Sequence, residues 1–309
     1  MKKIPLIIDT DPGIDDAIAL SIALNAVEFD IKLISTVAGN MDIDTVTTNA
    51  LQIVNFFDAK IKVAKGAANP LVGEHICGSF FHGKTGMDGF PFTTLKEDLL
   101  SKDDAVTAIS KVLETTKEKV TIVTLGPLTN IANLITNHPN QLNKIEQIII
   151  MGGALGRGNC RPLGEHNMVG DPEAAKIVLE SKLPLVFALM DAGVGATLTP
   201  LNIKRIKHIN KTGKMFSSML CNYRSGNQKS GPSIYDLMTI AYLLEPSMFT
   251  TKDAFMSVEV NNKYLRGTTI IDIDGVFNEE NNVNVLTSTD TKKFERWLFK
   301  RIRRCLSKF

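Results

Sequence analysis

Short apolar runs alternate with longer amphipathic stretches along most of this chain. Ile4 to Ile8 (IPLII) is apolar throughout, and DDAIALSIALNA (15–26) spaces its apolar positions as a helix does, so a strand and then a helix are expected. The theme repeats with IKLISTVAG (31–39) before a helix over 42–57, and with a strand around IKVAKG (61–66) before a helix over 103–116. VTIVTLG (120–126) then leads into PLTNIANLI, where Pro127 suits a first helical turn. EQIIIMGG (146–153), a helix over 171–181 and PLVFALMD (184–191) follow.

Strands that read as unbroken Ile, Val and Leu, with helices between them, imply an α/β fold: an open, mostly parallel β-sheet buried on both faces by helices. Ligands of such sheets bind outside the carboxyl ends of the strands. DTDPGIDD, AGN (38–40), LGP (125–127) and MGG (151–153) each follow a strand directly, so all four belong on one rim. Beyond residue 200 the pattern turns helical, with a glycine- and serine-containing loop, SGNQKSGPS, before IYDLMTIAYLLEP (234–246) as a mobile cover for that rim. A strand-rich stretch (255–286) and a basic amphipathic helix close the chain, the latter docking Phe294, Trp297, Leu298 and Ile302. No repeat or linker divides residues 1–309, which read as one domain.

Composition narrows the function more than the fold. Thirty-five basic and 33 acidic residues give a formal net charge of +2, which supplies no electrostatic reason to expect nucleic acid. The four cysteines form no CxxC pair, so neither a zinc site nor a disulfide framework is indicated. The apolar run of MKKIPLIIDTD is too short for a signal-peptide core or a membrane span, and a cytoplasmic enzyme is expected.

The chemistry concentrates where the first strand ends. DTDPGIDDA places Asp9, Asp11, Asp15 and Asp16 within eight positions, and crowded carboxylates raise one another's pKa unless a cation or a reaction uses them. One acid would serve the helix dipole; several converging oxygens are the ligand set of a hard cation such as calcium. GNCRPLGEHN carries Asn159, Glu165 and Asn167, amides and a carboxylate whose hydrogen-bonding inventory suits a polyol as well as it suits a self-satisfied polar turn. Tyr235-Asp236 opens the helix after the cover loop, and His82 stands in the glycine-rich FHGKTGMDG, from which a side chain can reach a ligand.

Together DTDPGIDDA, LGPLTNIA, MGGALGRGN, GEHN followed by DPEAA, and YDLMTIA resemble the nucleoside hydrolase family, of the inosine-uridine-preferring N-ribohydrolase type. The resemblance runs in order from residue 4 to about residue 246. It implies a Rossmann-like fold with C-terminal helices covering the site, and a calcium-dependent hydrolase that cleaves a ribonucleoside with water into ribose and free base. Matched positions would place Asp11, Asp16, the Leu125 carbonyl and Asp236 on calcium. Asp15, Asn159, Glu165 and Asn167 would hold the ribose beside Met151, and Asn40 would lie near the reacting centre. Family members are commonly dimers or tetramers, which implies a homo-oligomer taking a small ribonucleoside, with neither nucleic acid nor membrane as partner.

Two departures from the family pattern matter. Tyr235 stands where many members carry histidine before the last metal aspartate, and His166 stands where an aromatic is usual between Glu165 and Asn167. That histidine is associated with protonating the departing base. A phenol with a pKa near 10 makes a reluctant replacement, so Tyr235, His82 and His166 are the candidates for that role. Trp297, the single tryptophan, lies in the terminal helix, so no tryptophan pair sandwiches a purine and specificity is expected to be broad or pyrimidine-leaning. Two alternatives compete. DTD resembles the aspartates of haloacid-dehalogenase-like phosphatases, although their second aspartate pair lies on a later strand, and a catalytically silent nucleoside- or sugar-binding relative would keep the same fold.

Overall fold

A computed structural model describes residues 2–92, 97–225 and 230–307. Among these, nine strands form one sheet in the order β3-β2-β1-β4-β5-β6-β9-β7-β8. They are β1 (Ile4–Thr10), β2 (Phe29–Thr36), β3 (Val63–Lys65), β4 (Val120–Thr124), β5 (Ile145–Met151), β6 (Leu185–Ala188), β7 (Phe249–Val258), β8 (Thr269–Asp272) and β9 (Val283–Thr289). Every pairing from β3 across to β9 is parallel, whereas β7 runs antiparallel to both β9 and β8 at the far edge.

Alternation along the central strands explains their apolar sequences. Leu6 and Ile8 of β1 pack into one core with Ile34, Val123 and Ile149, while Ile7 between them packs into the opposite core with Leu33, Ile122 and Ile148. Both faces are therefore dry, and each fully buried Leu or Ile contributes on the order of 1.5–3 kcal/mol. The terminal helix, Thr291–Arg304, buries Phe294, Trp297, Leu298 and Ile302 against the first of these cores.

Element order places the site. The chain winds from β1 outward to β2 and β3, then returns to the other side of β1 to lay down β4, β5 and β6. Between β1 and β4 the connections diverge to either side, which leaves a crevice at the carboxyl ends of these two strands. Asp11 follows β1 and Leu125 follows β4, so the first acids of the chain and the Leu125 carbonyl meet at that crevice.

Several boundaries differ from the sequence pattern. β6 ends at Ala188, and Met190–Gly193 turns helical because the chain leaves the sheet there. The helix over KMFSSMLCNYR stops at Leu220, which frees Tyr223 to leave the helical path. Of the expected cover loop, residues 226–229 lie outside the described residues.

Candidate active site

The loop from β1 into the Ile14–Leu24 helix is built around Asp16. Its Oδ1 accepts from Thr10 Oγ1 at 2.6 Å, and its Oδ2 accepts from the Gly13 amide at 2.9 Å and from Asn40 Nδ2 at 3.1 Å. Capping the helix and fixing the acid are thus one arrangement. Gly13 is required for space: a Cβ there would stand 2.5 Å from His82 Nδ1 and 2.8 Å from Asn40 Nδ2.

Asp11 is fully buried and held differently. Its Oδ2 accepts the Asn40 amide at 2.7 Å, whereas its Oδ1 has no hydrogen-bond partner. A Cβ on Gly39 would stand 2.1 Å from Oδ2, and one on Gly126 would stand 2.5 Å from Oδ1, so backbone presses on the carboxylate from two sides. Asp15, Asp16 and Asp236 each offer an oxygen, the three lying within 4.8 Å of one another. Asp236 arrives from a distant part of the chain at the start of the Leu237–Leu244 helix. Burial foremost, then the neighbouring acids, pushes the pKa of Asp11 and Asp236 well up, and burial with Asp16 lifts Asp15 to about 7. Four buried carboxylates that, among the described residues, have only one another as charged neighbours are the donor set that a hard divalent ion completes, and the orphaned Asp11 oxygen and the Leu125 carbonyl fit the same need.

A cavity of about 60 Å³ opens above these acids. Asp15, Asn40, Leu125 and Asp236 line one side, with Asp11 and Asp16 lying behind it; Met151, Asn159, Glu165, His166 and Asn167 line another. Glu165 caps the short His166–Gly170 helix, accepting amides of Gly153 (3.2 Å), Asn167 (2.9 Å) and Met168 (3.1 Å), although burial still lifts its pKa to about 7. Asn167 Nδ2 donates to the Leu125 carbonyl at 2.6 Å and to the Met151 carbonyl at 3.1 Å. That leaves its own Oδ1 for a ligand, and a second lone pair on Leu125. Asn159 Oδ1 accepts the His166 amide at 2.8 Å.

His82 closes the third side. Its Nδ1 accepts the Ile14 amide at 3.0 Å at a helix N-terminus, and its ring stacks on Tyr223 with centroids 5.1 Å apart. Burial, aided by His166, lowers its pKa to about 3. The ring is therefore neutral, and its remaining proton is on Nε2. Tyr235 lines the cavity as well, and burial raises its phenol above the usual value. Sequence reading missed Phe81, Tyr223 and Ser225, which also line the cavity. The only signal for Tyr223 is an aromatic just ahead of the cover loop. Its contacts to His82 and Asp15 come from elements far away in the chain.

Every site residue expected from sequence thus borders one crevice or lies directly behind its wall. A family model described as inosine-uridine preferring nucleoside hydrolase matches residues 6–296. The chain belongs to that family. The non-specific ribonucleoside hydrolase RihC of Escherichia coli (strain K12) is 42% identical over 296 residues, covering 96% of this chain and 97% of the relative. Among solved structures, the plant nucleoside hydrolase PpNRh1 superposes with a TM-score of 0.90 at 28% identity, covering 98% of this chain and 99% of that one. The purine-preferring ribonucleoside hydrolase from Gardnerella vaginalis gives 0.88 at 27%, covering 97% and 98%. This nucleoside hydrolase accordingly acts on N-glycosyl compounds, which decides against the phosphatase alternative. No described helix is long and apolar enough to cross a membrane.

Proposed function

We propose that the protein is a calcium-dependent N-ribohydrolase of broad or pyrimidine-leaning specificity, cleaving unphosphorylated ribonucleosides to ribose and free base. The observation that carries this reading is the convergence of Asp11, Asp15, Asp16 and Asp236 behind and along one wall of a cavity otherwise lined by amides, a carboxylate and aromatic rings. Asp11, Asp16, Asp236 and the Leu125 carbonyl would hold the cation. When bound, such an ion supplies positive charge that organises sugar hydroxyls and acidifies water.

The residues themselves account for the remaining demands of the reaction. Breaking the C1'–N bond leaves oxocarbenium character on the ribose, which the buried acids stabilise. Asp15, Asn159, Glu165 and Asn167 orient the sugar beside Met151, with Asn40 near the anomeric carbon. Asp11, with one oxygen pinned by Asn40 and the other free, takes the proton of the attacking water as its oxygen bonds to C1'. The base leaves with the electron pair of the broken bond. His82 assists it as a neutral hydrogen-bond donor through Nε2, since Ile14 occupies Nδ1 and the ring carries no ionisable proton near neutrality. Tyr235 faces the same space and donates from its phenol.

Breadth of specificity is supported by the walls. His82, Phe81, Tyr223 and Tyr235 offer faces to any base, and Trp297 is buried against Phe294 in the core instead. Assembly as a homodimer or homotetramer and operation in cytoplasmic nucleoside salvage belong to the same reading and rest on the family resemblance. Reducing-sugar release from a panel of purine and pyrimidine ribonucleosides, with and without a chelator, tests it. Release that needs calcium and includes uridine or cytidine is expected. Cleavage confined to inosine and guanosine refutes the specificity, undiminished release in chelator refutes the metal, and no release from any nucleoside leaves the silent relative.

A further inference from the structure

Charge is unevenly spread over this chain. The Pro200–Lys207 helix and the terminal Thr291–Arg304 helix carry ten basic residues and one acidic residue, Glu295, although the whole sequence is balanced to a formal +2. A groove of about 870 Å³ runs between the two helices. Arg205 and His208 line one side and Glu295, Arg296 and Arg303 the other, while Ile209 and Phe299, half-buried against the core, supply its apolar surface. The volume lies within the range of small-molecule sites, roughly 300–1,000 Å³. None of these residues borders the catalytic cavity.

The basic face is left over from packing. The apolar face of the terminal helix is buried in the core through Phe294, Trp297, Leu298 and Ile302, so it has nothing to insert into a membrane. Arg301 is engaged by Glu28 through two hydrogen bonds. In the groove, by contrast, Glu295 stands 3.9 Å from Arg205 in a long contact between exposed side chains, and Arg296 and Arg303 make no ion pair among the described residues. A cation suits the last turn of a helix, which accounts for Arg205 and Arg303 but not for Arg296 in mid-helix.

We propose that this groove is a second ligand site, distant from the catalytic cavity, that binds a nucleoside polyphosphate with its phosphates among Arg205, Arg296 and Arg303 and its base against Phe299 and Ile209. Guanidinium groups pair with phosphate oxygens in a planar fork, and an aromatic face takes any base by stacking. An inorganic polyphosphate would leave the apolar surface of the groove uncovered. A polynucleotide would need a longer basic track, which the balanced charge of the rest of the chain does not provide. The inference is independent of the reaction proposed above, because it concerns binding at residues that reaction does not use.

Isothermal titration calorimetry of the full chain with UTP, with inorganic triphosphate and with a single-stranded oligouridylate, at one fixed ionic strength, tests it. UTP should bind the wild type, and R296Q/R303Q, which changes two exposed positions, should weaken that binding by roughly tenfold or more. E295Q removes the one acid of the groove and should tighten it, an effect that a damaged fold would not produce. Inorganic triphosphate should bind roughly fivefold or more weakly than UTP, and F299L, which keeps an apolar side chain but loses the ring, should narrow that gap. Absence of UTP binding overturns the proposal, as does binding that R296Q/R303Q leaves unchanged or that E295Q weakens. Equal affinity for UTP and inorganic triphosphate also overturns it, and an oligouridylate bound more tightly than UTP replaces the nucleotide with nucleic acid.

Discussion

The two walls of the cavity solve opposite electrostatic problems. On the acid wall, Asp11, Asp15 and Asp236 are buried at the cost of strongly raised pKa values, and Asp11 keeps an oxygen without a partner. On the facing wall, Glu165 and Asn167 are tied into backbone by five hydrogen bonds, which leaves Asn167 Oδ1 as a neutral acceptor. A wall left unsatisfied by several like charges demands a cation. A wall satisfied except for neutral donors and acceptors presents a fixed template for hydroxyls. The difference separates the part of the site that does chemistry from the part that positions the sugar.

The largest expected effect breaks the acid wall. Asp11→Asn keeps the shape but not the base, so kcat should fall on the order of 10²- to 10⁴-fold while ribose binding is partly retained. Near-normal turnover in steady-state assays of that variant would remove Asp11 from the mechanism. Gly39→Ala should reach a similar loss by another route, since its methyl would stand 2.1 Å from Asp11 Oδ2 and must displace the carboxylate. Retained activity, with a crystal structure showing Asp11 unmoved, would contradict that account.

A smaller effect is expected at the base end. His82→Ala removes the Nε2 donor and the stacking partner of Tyr223, and should lower kcat by about 10- to 100-fold, more for poorer leaving bases. Tyr235→Phe should cost less, because its phenol is held above its ordinary pKa. If both variants keep full kcat on every nucleoside tried, help to the leaving group comes from elsewhere or is not needed.

On the facing wall the signature should be positional. Glu165→Gln exchanges an acceptor of three amides for one that also carries donors, so KM should rise more than kcat falls, and thermal stability should drop by about 1 kcal/mol from the weakened cap. A pure kcat effect at unchanged KM would move Glu165 into the chemistry.

An effect with no bearing on turnover at neutral pH is expected in stability against pH. His166 has a folded pKa lowered to about 4 against an ordinary 6.5, so the unfolded chain binds its proton first as the pH falls. The stability associated with the neutral ring is full above pH 6.5 and is lost progressively down to about pH 4. Asp9, lifted to about 6 mainly by burial, and Glu165 act in the opposite sense, favouring the fold as they protonate. Subtracting H166F isolates the histidine: its melting temperature should gain on the wild type between pH 6.5 and 4, and a pH-independent difference would show that the ring is not buried neutral.

The N-terminal carboxylates show how much of this site was legible in the chain. Asp9 lies in β1 and Asp11 follows it directly, both completely buried, yet their roles diverge. Ser35 and Asn130 bind Oδ1 of Asp9 at 2.5 and 2.8 Å and its Oδ2 has no partner, while Asp11 has its free Oδ1 against Gly126 and feels the charges of Asp15, Asp16 and Asp236. No local pattern distinguishes the two, because their partners come from β2, from the Thr129–Asn137 helix and from the loop after β4. Tyr223 and Phe81 were illegible for the same reason.

By itself the sequence determined the alternation of buried strands and helices, the rim on which the motifs would fall, and the family. Those properties are written in local periodicity and in short contiguous motifs. Only the tertiary structure decided which acids share a point and which nitrogen of His82 is occupied. Each of these depends on groups up to some 220 residues apart, such as Asp16 and Asp236, brought together by the reversal of strand order beside β1.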